Sequence, residues 1–458
     1  MPVAGRKRAV HRPGGPYERM RRRQLHILLL AAAVIRFALL AVAWSHPERM
    51  LTPDSTDYLR LTGSLHAGEG FEREGRPEIF RTPGYPVFLL VAALFRSLGP
   101  GGVAAVQVLA DVLLVYLTYL LASLVADRRS AVWAAAFQAV SVVSIVSSLR
   151  ILSDGLYAVL FVLALCLLVL HLKAGGRWSL LSAAGVMGVA CYVRPVGLVM
   201  AALMTAALLA RPKRWRRAGA FAGVVLALVL PWVVRNGMVA RYWGFSSFAT
   251  DSMYFYAVPQ LEAERTGQDA AALRARRKAV AGPPWGVGDP TPPPGPAARE
   301  RARDARREIL AHPASYAWLH LRGCVGVYLP GAPGLLELAG LTEGQRGTHD
   351  VLQREGLWAA ARHYFGGSAE AIAVAVPLVL ILALKYLAVA VCVVTRARRG
   401  LPVEIWLLVA VVAVGTLLPG PFGLPRYRVP LAPILSIAAG CGAVWLSSRL
   451  RRKAPASR

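Results

Sequence analysis

Two acidic residues stand where apolar blocks of this sequence begin or end. Asp54 lies in the sequence PDSTDY (residues 53–58), just after the first apolar block, and Asp154 lies in a Ser-Asp-Gly sequence. A carboxylate at a membrane boundary, beside a helix end, can act as a general base on a hydroxyl group. Simpler readings stay open: Asp54 or Ser55 could cap the helix that follows, and Asp154 before glycine also suits a turn.

Arginines next to prolines form a second group at the ends of apolar blocks. They are Arg81 in RTPGYP, Arg194 in YVRP, Arg235 in PWVVRN, and Arg426 and Arg428 in PRYRVP. The predicted topology of the apolar blocks places these block ends outside the cell, where the positive-inside tendency makes arginine unexpected. An anionic ligand would explain them because the planar guanidinium fork suits phosphate. Arginines that reach lipid headgroups are the alternative.

Together, the carboxylates and arginines point to one kind of chemistry. Cleavage of a sugar–phosphate bond needs a base for the acceptor hydroxyl and cations for the departing phosphate. Both are present on one predicted face of the membrane.

The composition requires a membrane protein. The chain has 458 residues and is 56% hydrophobic, against 45–50% in soluble domains. The excess lies in blocks of about 15–24 residues, which is the pattern a bilayer demands. The net charge of +28 sits mostly in tails and short links, which indicates orientation by positive cytoplasmic loops rather than nucleic-acid binding. The five cysteines form no CxxC or Cys/His cluster, so neither a disulfide nor a metal site is indicated.

The apolar blocks predict an all-α polytopic protein with about ten transmembrane helices and both termini in the cytoplasm. Eight Lys and Arg residues precede the first block and place the N-terminus in the cytoplasm. The remaining basic links all fall on the cytoplasmic side as well if block 86–98 does not cross the membrane. That block has about 13 residues, against about 20 for a span, and predicts an interfacial or re-entrant helix. The predicted spans are 25–44, 103–126, 131–150, 152–172, 178–193, 195–210, 217–236, 371–394, 403–420 and 429–447.

The chain is accordingly divided into five predicted regions. A basic cytoplasmic tail (1–24) precedes an N-terminal transmembrane module (25–236) that carries an external loop, 46–102. An external region (237–370) follows, with a Pro/Gly-rich segment at 281–297 and a predicted surface helix at 298–311. A three-span module (371–447) and a basic cytoplasmic tail (448–458) complete the chain.

Several of these motifs resemble those of the membrane-embedded GT-C glycosyltransferases. The first external loop matches through Asp54-x-x-x-Tyr58, Gly68-x-Gly70-Phe71 and Arg81-x-Pro-Gly-Tyr-Pro. Further matches follow in the expected order: Ser153-Asp154, Arg194-Pro195, Pro231-Trp232-x-x-Arg235-Asn236 and Arg426-Tyr427-Arg428-x-Pro430. The resemblance covers about residues 25–445. It is closest to the bacterial dolichyl-phosphate-mannose–protein mannosyltransferase and aminoarabinose–lipid A transferase group.

The resemblance implies an inverting enzyme that moves a monosaccharide, mannose or another hexose, from a polyprenyl-phosphate carrier to an acceptor hydroxyl. Asp54 would bind or deprotonate the acceptor, and Asp154 would be the second acidic residue. The donor phosphate would be bound by the five arginines, and substrate by Asp57, Tyr58 and Tyr85. These motifs specify no cofactor, and a divalent metal is possible but is not indicated by the sequence. The acceptor would be a protein, a glycolipid or an exported natural product.

One departure and one rival interpretation accompany this resemblance. No large C-terminal soluble domain is recognisable, which argues against the oligosaccharyltransferase branch. A transporter or flippase of an anionic lipid-linked substrate would use the same arginines, but it has no need of a loop carboxylate. Transporters also tend to have paired halves with broken helices, and the sequence shows no such halves.

The predicted topology is testable by cysteine labelling from outside the cell. Single cysteines at Arg60 and Pro290 should react with a membrane-impermeant thiol reagent in intact cells, and a cysteine at Arg398 should react only after permeabilisation. Labelling of position 398 in intact cells, or protection of position 60, would contradict the topology and move Asp54 to the cytoplasmic face.

Overall fold

The computed structural model describes residues 16–92, 99–210, 215–281, 294–342, 348–365, 368–396 and 400–453. Within these ranges the chain is helical apart from links and one antiparallel hairpin, β1 (Glu72–Arg73) with β2 (Arg76–Pro77). Residues 1–15 of the N-terminal tail and 454–458 of the C-terminal tail lie outside the described residues, as do residues 282–293 of the Pro/Gly-rich segment.

The helices follow one another along the chain as α1 (Pro16–Trp44), α2 (Pro53–His66), α3 (Gly84–Ala92), α4 (Gly99–Val125), α5 (Arg128–Ala139), α6 (Val142–Leu149), α7 (Ser153–Ala174), α8 (Arg177–Val193), α9 (Gly197–Leu209), α10 (Trp215–Ala240), α11 (Phe248–Ser252), α12 (Val258–Thr266), α13 (Ala270–Ala281), α14 (Pro294–Ala311), α15 (Pro313–Gly326), α16 (Ala332–Leu338), α17 (Thr348–Phe365), α18 (Ala369–Arg396), α19 (Val403–Leu417) and α20 (Ala432–Lys453). A π-helical segment, Met253–Ala257, joins α11 to α12, and short 3₁₀ turns include Pro425–Arg428.

The chain is a multi-pass membrane protein. Six described helices are long and apolar enough to cross a bilayer: α1, α4, α7, α10, α18 and α20. The pair α5 and α6 makes a seventh if its two bent halves form one span, and α8, α9 and α19 are shorter apolar helices. These ten segments correspond one to one with the ten predicted spans, although the number that crosses stays a prediction. The predicted helix at 298–311 is confirmed as α14.

The prediction of one continuous helix over 131–150 is wrong. The chain breaks between α5 and α6, and the two halves meet at 51°. Val140 and Ser141 occupy the break. The apolar composition of the block did not predict this bend, because composition indicates a buried or membrane-embedded segment and not whether its helix is continuous.

Close packing of α20 against its neighbours depends on two glycines. A Cβ atom at Gly440 would come within 2.4 Å of the carbonyl oxygen of Ser130, and one at Gly442 within 1.9 Å of that of Ala388. Small residues allow membrane helices to approach this closely. Helix α20 is thereby held against both α5 and α18. It begins shortly after the turn that carries Arg426 and Arg428, so its packing also holds that turn in place.

A buried ion pair inside the membrane module joins α1 to α4. The Arg36 Nε atom lies 2.6 Å from Asp111 Oδ2, and both side chains are almost completely buried. Arg36 Nη1 also donates to the carbonyl oxygens of Ala32 and Ala139, the latter in α5. Charged groups within spans are costly unless paired, so this pair fixes the relative placement of three helices.

Replacing Asp111 with Leu should destabilise the protein by about 3–5 kcal/mol, because Arg36 would stay buried without its counterion. The double variant Arg36→Met/Asp111→Leu should cost much less, since no charge is then buried. Unfolding of the detergent-solubilised variants measures both effects. Equal losses in the single and double variants would show that charge pairing is not what holds these helices.

Candidate active site

The helix that carries Asp54 is capped by a residue that the sequence analysis did not consider. Thr52 caps α2: its hydroxyl accepts from the backbone N–H of Ser55, and the Ser55 hydroxyl accepts from that of Thr52 at 2.9 Å. The Ser55 hydroxyl also donates to the carbonyl oxygen of Ile151 at 2.8 Å, which docks α2 on the link before α7. The suggestion that Asp54 caps the helix is therefore wrong, and its carboxylate is available for other contacts.

The Asp54 carboxylate binds two guanidinium groups. Arg81 Nη2 donates to Oδ1 at 2.7 Å, and Arg426 Nη1 donates to Oδ2 at 2.6 Å. Burial alone would raise the pKa of Asp54, but the charges of Arg426 and Arg81 outweigh it and hold the pKa well below its usual range. The side chain remains 25% exposed. Asp54 is therefore ionised at neutral pH and still open to a ligand.

Arg81 lies at the centre of a wider contact set. Its Nη2 atom also donates to Asp57 Oδ2 at 3.0 Å, and its Nη1 atom to the Tyr58 hydroxyl at 3.4 Å. The guanidinium carbon lies 4.9 Å from the centre of the Tyr58 ring. The structure thus brings Asp54, Asp57, Tyr58, Arg81 and Arg426 together in one contact network.

The hairpin β1–β2 supports this set through residues that the sequence analysis missed. Arg73 Nη1 donates to Asp57 Oδ1 at 3.0 Å, and Arg73 Nη2 lies 3.1 Å from Glu78 Oε2. Glu78 Oε1 accepts the backbone N–H of Arg81 at 3.0 Å and so orients that residue. The turn at Glu74 and Gly75, both at positive φ, allows the chain to reverse. A Glu-Gly pair is only a weak hairpin signal in sequence.

A second acid–base pair lies beside the first. Asp154 forms an ion pair with Arg194, which follows α8 directly. Asp154 is nearly fully buried in the first turn of α7, so the suggestion that it sits in a turn is wrong. The preceding Ser153 hydroxyl lies 3.0 Å from the hydroxyl of Tyr58 and connects the two pairs.

Tyr85 packs against the site and its hydroxyl is engaged elsewhere. It donates to Gln107 Oε1 at 2.6 Å, and the Tyr85 ring meets that of Tyr58 edge-on at 4.7 Å. The neighbouring Gly84 is required because a Cβ there would lie 2.6 Å from the backbone of Tyr192. Tyr85 therefore positions Tyr58.

Arg235 and Arg428 do not reach the Asp54 carboxylate. Arg235 donates to the backbone carbonyls of Glu78 and Phe71, at 2.8 and 2.6 Å, and so supports the hairpin segment. Arg428 donates through Nη1 to the carbonyls of Val327 and Leu329 and to the Tyr386 hydroxyl. Of the five arginines chosen for phosphate binding, the structure places Arg81, Arg194 and Arg426 at the site.

Tyr256 is a further neighbour that no motif indicated. It lies in the π-helical segment, a conformation often found at functional sites, with Arg274 4.7 Å from its ring centre. Burial raises the pKa of Tyr256, Arg274 opposes this, and the charge of Asp54 adds to the increase. Within the described part of the chain, no three His, Cys, Asp or Glu side chains gather as metal ligands.

The fold matches solved membrane enzymes. The archaeal oligosaccharyltransferase AglB from Archaeoglobus fulgidus, in complex with an inhibitory peptide and a dolichol-phosphate, aligns with a TM-score of 0.52 at 16% identity, covering 95% of this chain and 52% of that one. Its apo form gives 0.51 at 16% identity, with 93% and 51% coverage. ArnT from Cupriavidus metallidurans bound to undecaprenyl phosphate gives 0.39 at 13% identity, with 91% and 78% coverage.

The chain therefore has the fold of the GT-C superfamily of membrane glycosyltransferases, and it spans about half the length of the archaeal enzyme. Within that class, residues 81–234 match the family described as Dolichyl-phosphate-mannose-protein mannosyltransferase. That segment runs from Arg81 to the residue before Arg235. A comparison with curated protein sequences finds no match.

Asp54 should contribute a pH-dependent part of the stability. Because its pKa is lower in the folded than in the unfolded chain, this contribution is present above the unfolded value of about 3.9 and is lost as pH falls below it. The difference in unfolding free energy between wild type and Asp54→Asn should hold from pH 7 to pH 5 and shrink below about pH 4. Exposed Glu69→Gln should show no such dependence; a difference already lost at pH 5 would contradict the double ion pair.

Proposed function

We propose that this protein is an inverting glycosyltransferase that moves mannose or another hexose from a polyprenyl-phosphate carrier to an acceptor hydroxyl. The observation that carries the proposal is the ionised, partly exposed Asp54 between two guanidinium groups, Arg81 and Arg426. The proposed base is thereby in direct contact with both of the cations proposed to bind phosphate. The dolichol-phosphate in the archaeal structure and the description of the matched family support a lipid-phosphate carrier.

In this reaction the acceptor oxygen attacks the anomeric carbon of the sugar from the side opposite the phosphate. The bond from that carbon to the phosphate oxygen breaks, and its electron pair leaves with the polyprenyl phosphate. Asp54 accepts the proton of the attacking hydroxyl. Arginine stabilises the charge that gathers on the leaving phosphate. One displacement inverts the anomeric centre.

The double ion pair creates a link between donor binding and the basicity of Asp54. With both arginines on its oxygens, the carboxylate is a weak base because its pKa is held low. A donor phosphate competes for the same guanidinium N–H groups. As Arg81 or Arg426 turns toward the phosphate, Asp54 loses a positive neighbour and its pKa rises, so the base becomes effective only when the donor is in place.

The Asp154–Arg194 pair has a positioning role in this scheme. Asp154 is almost completely buried. The guanidinium carbon of Arg194 lies 5.9 Å from the ring centre of Tyr427, the residue that follows Arg426 in the sequence. The pair keeps Arg194 charged close to the donor phosphate without exposing a second free carboxylate. Arg235 holds the hairpin that carries Arg73 and Glu78.

The reaction would take place at the extracytoplasmic face of the cell membrane, with both chain termini in the cytoplasm. The acceptor would be a protein, a glycolipid or an exported natural product. The external loop 46–102 and the region 237–370 would form the acceptor side, since Tyr256 of that region lies close to Asp54.

The Asp54→Asn variant should lose transfer activity by roughly 10²–10⁴-fold, because the amide cannot accept the hydroxyl proton. Radiolabelled polyprenyl-phosphate mannose and a lipid extract of the source membrane serve as donor and acceptor, and labelled product is counted. Binding of polyprenyl phosphate should persist, since both arginines remain. Glu69→Gln, an exposed acid in the same loop, is the matched control and should retain activity.

The outcome that would overturn the assignment is an Asp54→Asn variant that is folded, as judged by thermal unfolding, and transfers sugar at nearly the wild-type rate. Transport of the labelled lipid across vesicles by the wild type, without transfer, would favour a flippase instead.

A further inference from the structure

A second group of cations lies in a cavity away from the Asp54 carboxylate. Lys385 of α18 and Arg428 of the Pro425–Arg428 turn both line a cavity of about 30 Å³. A single water needs about 10–15 Å³ measured in this way, so the cavity has room for more than one water-sized group. Both cations are buried, with exposed fractions of 6% and 4%.

Neither cation has an anionic partner among the described residues, and no Asp or Glu lines the cavity. Lys385 Nζ donates to the Ser436 hydroxyl at 2.8 Å and weakly to the carbonyl of Ala432 at 3.4 Å. Arg428 makes its three hydrogen bonds through Nη1, which leaves Nε and Nη2 without a partner in the described part of the chain. Two neighbouring buried groups that both carry positive charge are costly unless an anion joins them; without an anion, the lysine can relieve this cost by losing its proton.

The backbone around the cavity adds to its positive potential. The break between α5 and α6 lies in its wall, through Val140, Ser141 and Val142. The N-terminus of α6 has no side-chain cap, so its free N–H groups and helix dipole favour an anion nearby. Interrupted helices within membrane modules are tolerated where they line a cavity, which accounts for the break.

Apolar side chains of α18 also line the cavity: Leu378, Ile381 and Leu382. Ile381 is 37% exposed, so the cavity lining reaches the surface of a helix that is otherwise suited to face lipid. An anion that enters along this surface can keep a hydrocarbon chain against α18. The cavity therefore fits a phosphate carried by a lipid.

We propose that this cavity binds the terminal phosphate of a polyprenyl phosphate, with its prenyl chain lying along α18. Two cations match a phosphate monoester, which carries about −1.5 to −2 charge at pH 7, better than the single negative charge of a phospholipid diester. The donor itself is a diester, so the site favours the carrier after its sugar has left. The choice of a prenyl carrier rests on the proposed function, whereas the anion site rests on the cavity alone.

This placement gives Arg428 a role distinct from that of Arg426. The two arginines lie on one 3₁₀ turn, with Arg426 bound to Asp54 and Arg428 lining the cavity. The turn thus connects the reaction site to the lipid site. The released carrier can pass from Arg426 to Arg428 and Lys385 while the next donor enters.

The test is equilibrium binding of undecaprenyl phosphate, phosphatidylglycerol and inorganic phosphate to the purified full chain in detergent. The Lys385→Met variant should bind undecaprenyl phosphate about 10- to 100-fold more weakly, because a charge-assisted hydrogen bond is lost. Lys385→Arg should largely retain affinity. Lys173→Met, which removes a half-exposed lysine at the far end of α7, is the matched control and should bind as wild type.

A second variant tests the lipid path without altering a charge. Leu382→Trp places a large side chain in the apolar lining of the cavity and should weaken undecaprenyl phosphate binding while thermal unfolding shows an intact fold. Unchanged affinity in both Lys385→Met and Leu382→Trp would overturn the site. Equal affinity of the wild type for phosphatidylglycerol would overturn the monoester assignment, and equal affinity for inorganic phosphate would overturn the prenyl path.

The binding assay tests the lipid site and the transfer assay tests the proposed transferase, so either proposal can be rejected without the other. Loss of undecaprenyl phosphate binding in Lys385→Met, combined with no sugar transfer by the wild type, would support the lipid site and reject the transferase. Normal transfer with unchanged binding in Lys385→Met would support the transferase and reject the site.

Discussion

The contact between Arg426 and Asp54 joins residues 372 positions apart in the chain and organises the site around it. Arg81 binds the other carboxylate oxygen, and through Asp57 and Arg73 the same network reaches Glu78. Each member is at least partly removed from water, where attraction between opposite charges is stronger than at the surface. The loop between α1 and α4 and the segment that leads into α20 are therefore tied together by charge as well as by packing.

The same network explains why so many arginines are tolerated beside apolar helices. A buried guanidinium is stable only when its N–H groups and its charge are both satisfied. Arg81 and Arg194 meet carboxylates, and Arg235 meets backbone carbonyls that close the hairpin segment. Arg428 and Lys385 have hydrogen bonds but no carboxylate in the described ranges. This difference in charge compensation separates the preassembled candidate active site from a cavity suited to an incoming anion.

The ion pairs also suggest how the proposed transferase keeps its base inactive until the donor arrives. A carboxylate between two arginines binds protons weakly, so the resting site is ionised and ordered. A phosphate offers those arginines an alternative partner, and the carboxylate gains basicity as they leave. The chain spans about half the length of the archaeal enzyme with the same fold.

The sequence by itself determined the membrane class, the positions of the apolar segments and most members of the site. Hydropathy is a property of local composition, and the residues Asp54, Asp57, Tyr58 and Arg81 lie close together along one loop. Only the tertiary structure decided which arginine meets which acid, because Asp54–Arg426 and Asp154–Arg194 depend on how distant helices pack. It also showed that Thr52 caps α2, that α5 and α6 are separate, and that Arg235 serves the backbone. Lys385 escaped notice because one charge in an apolar block acquires meaning only from its neighbours in space.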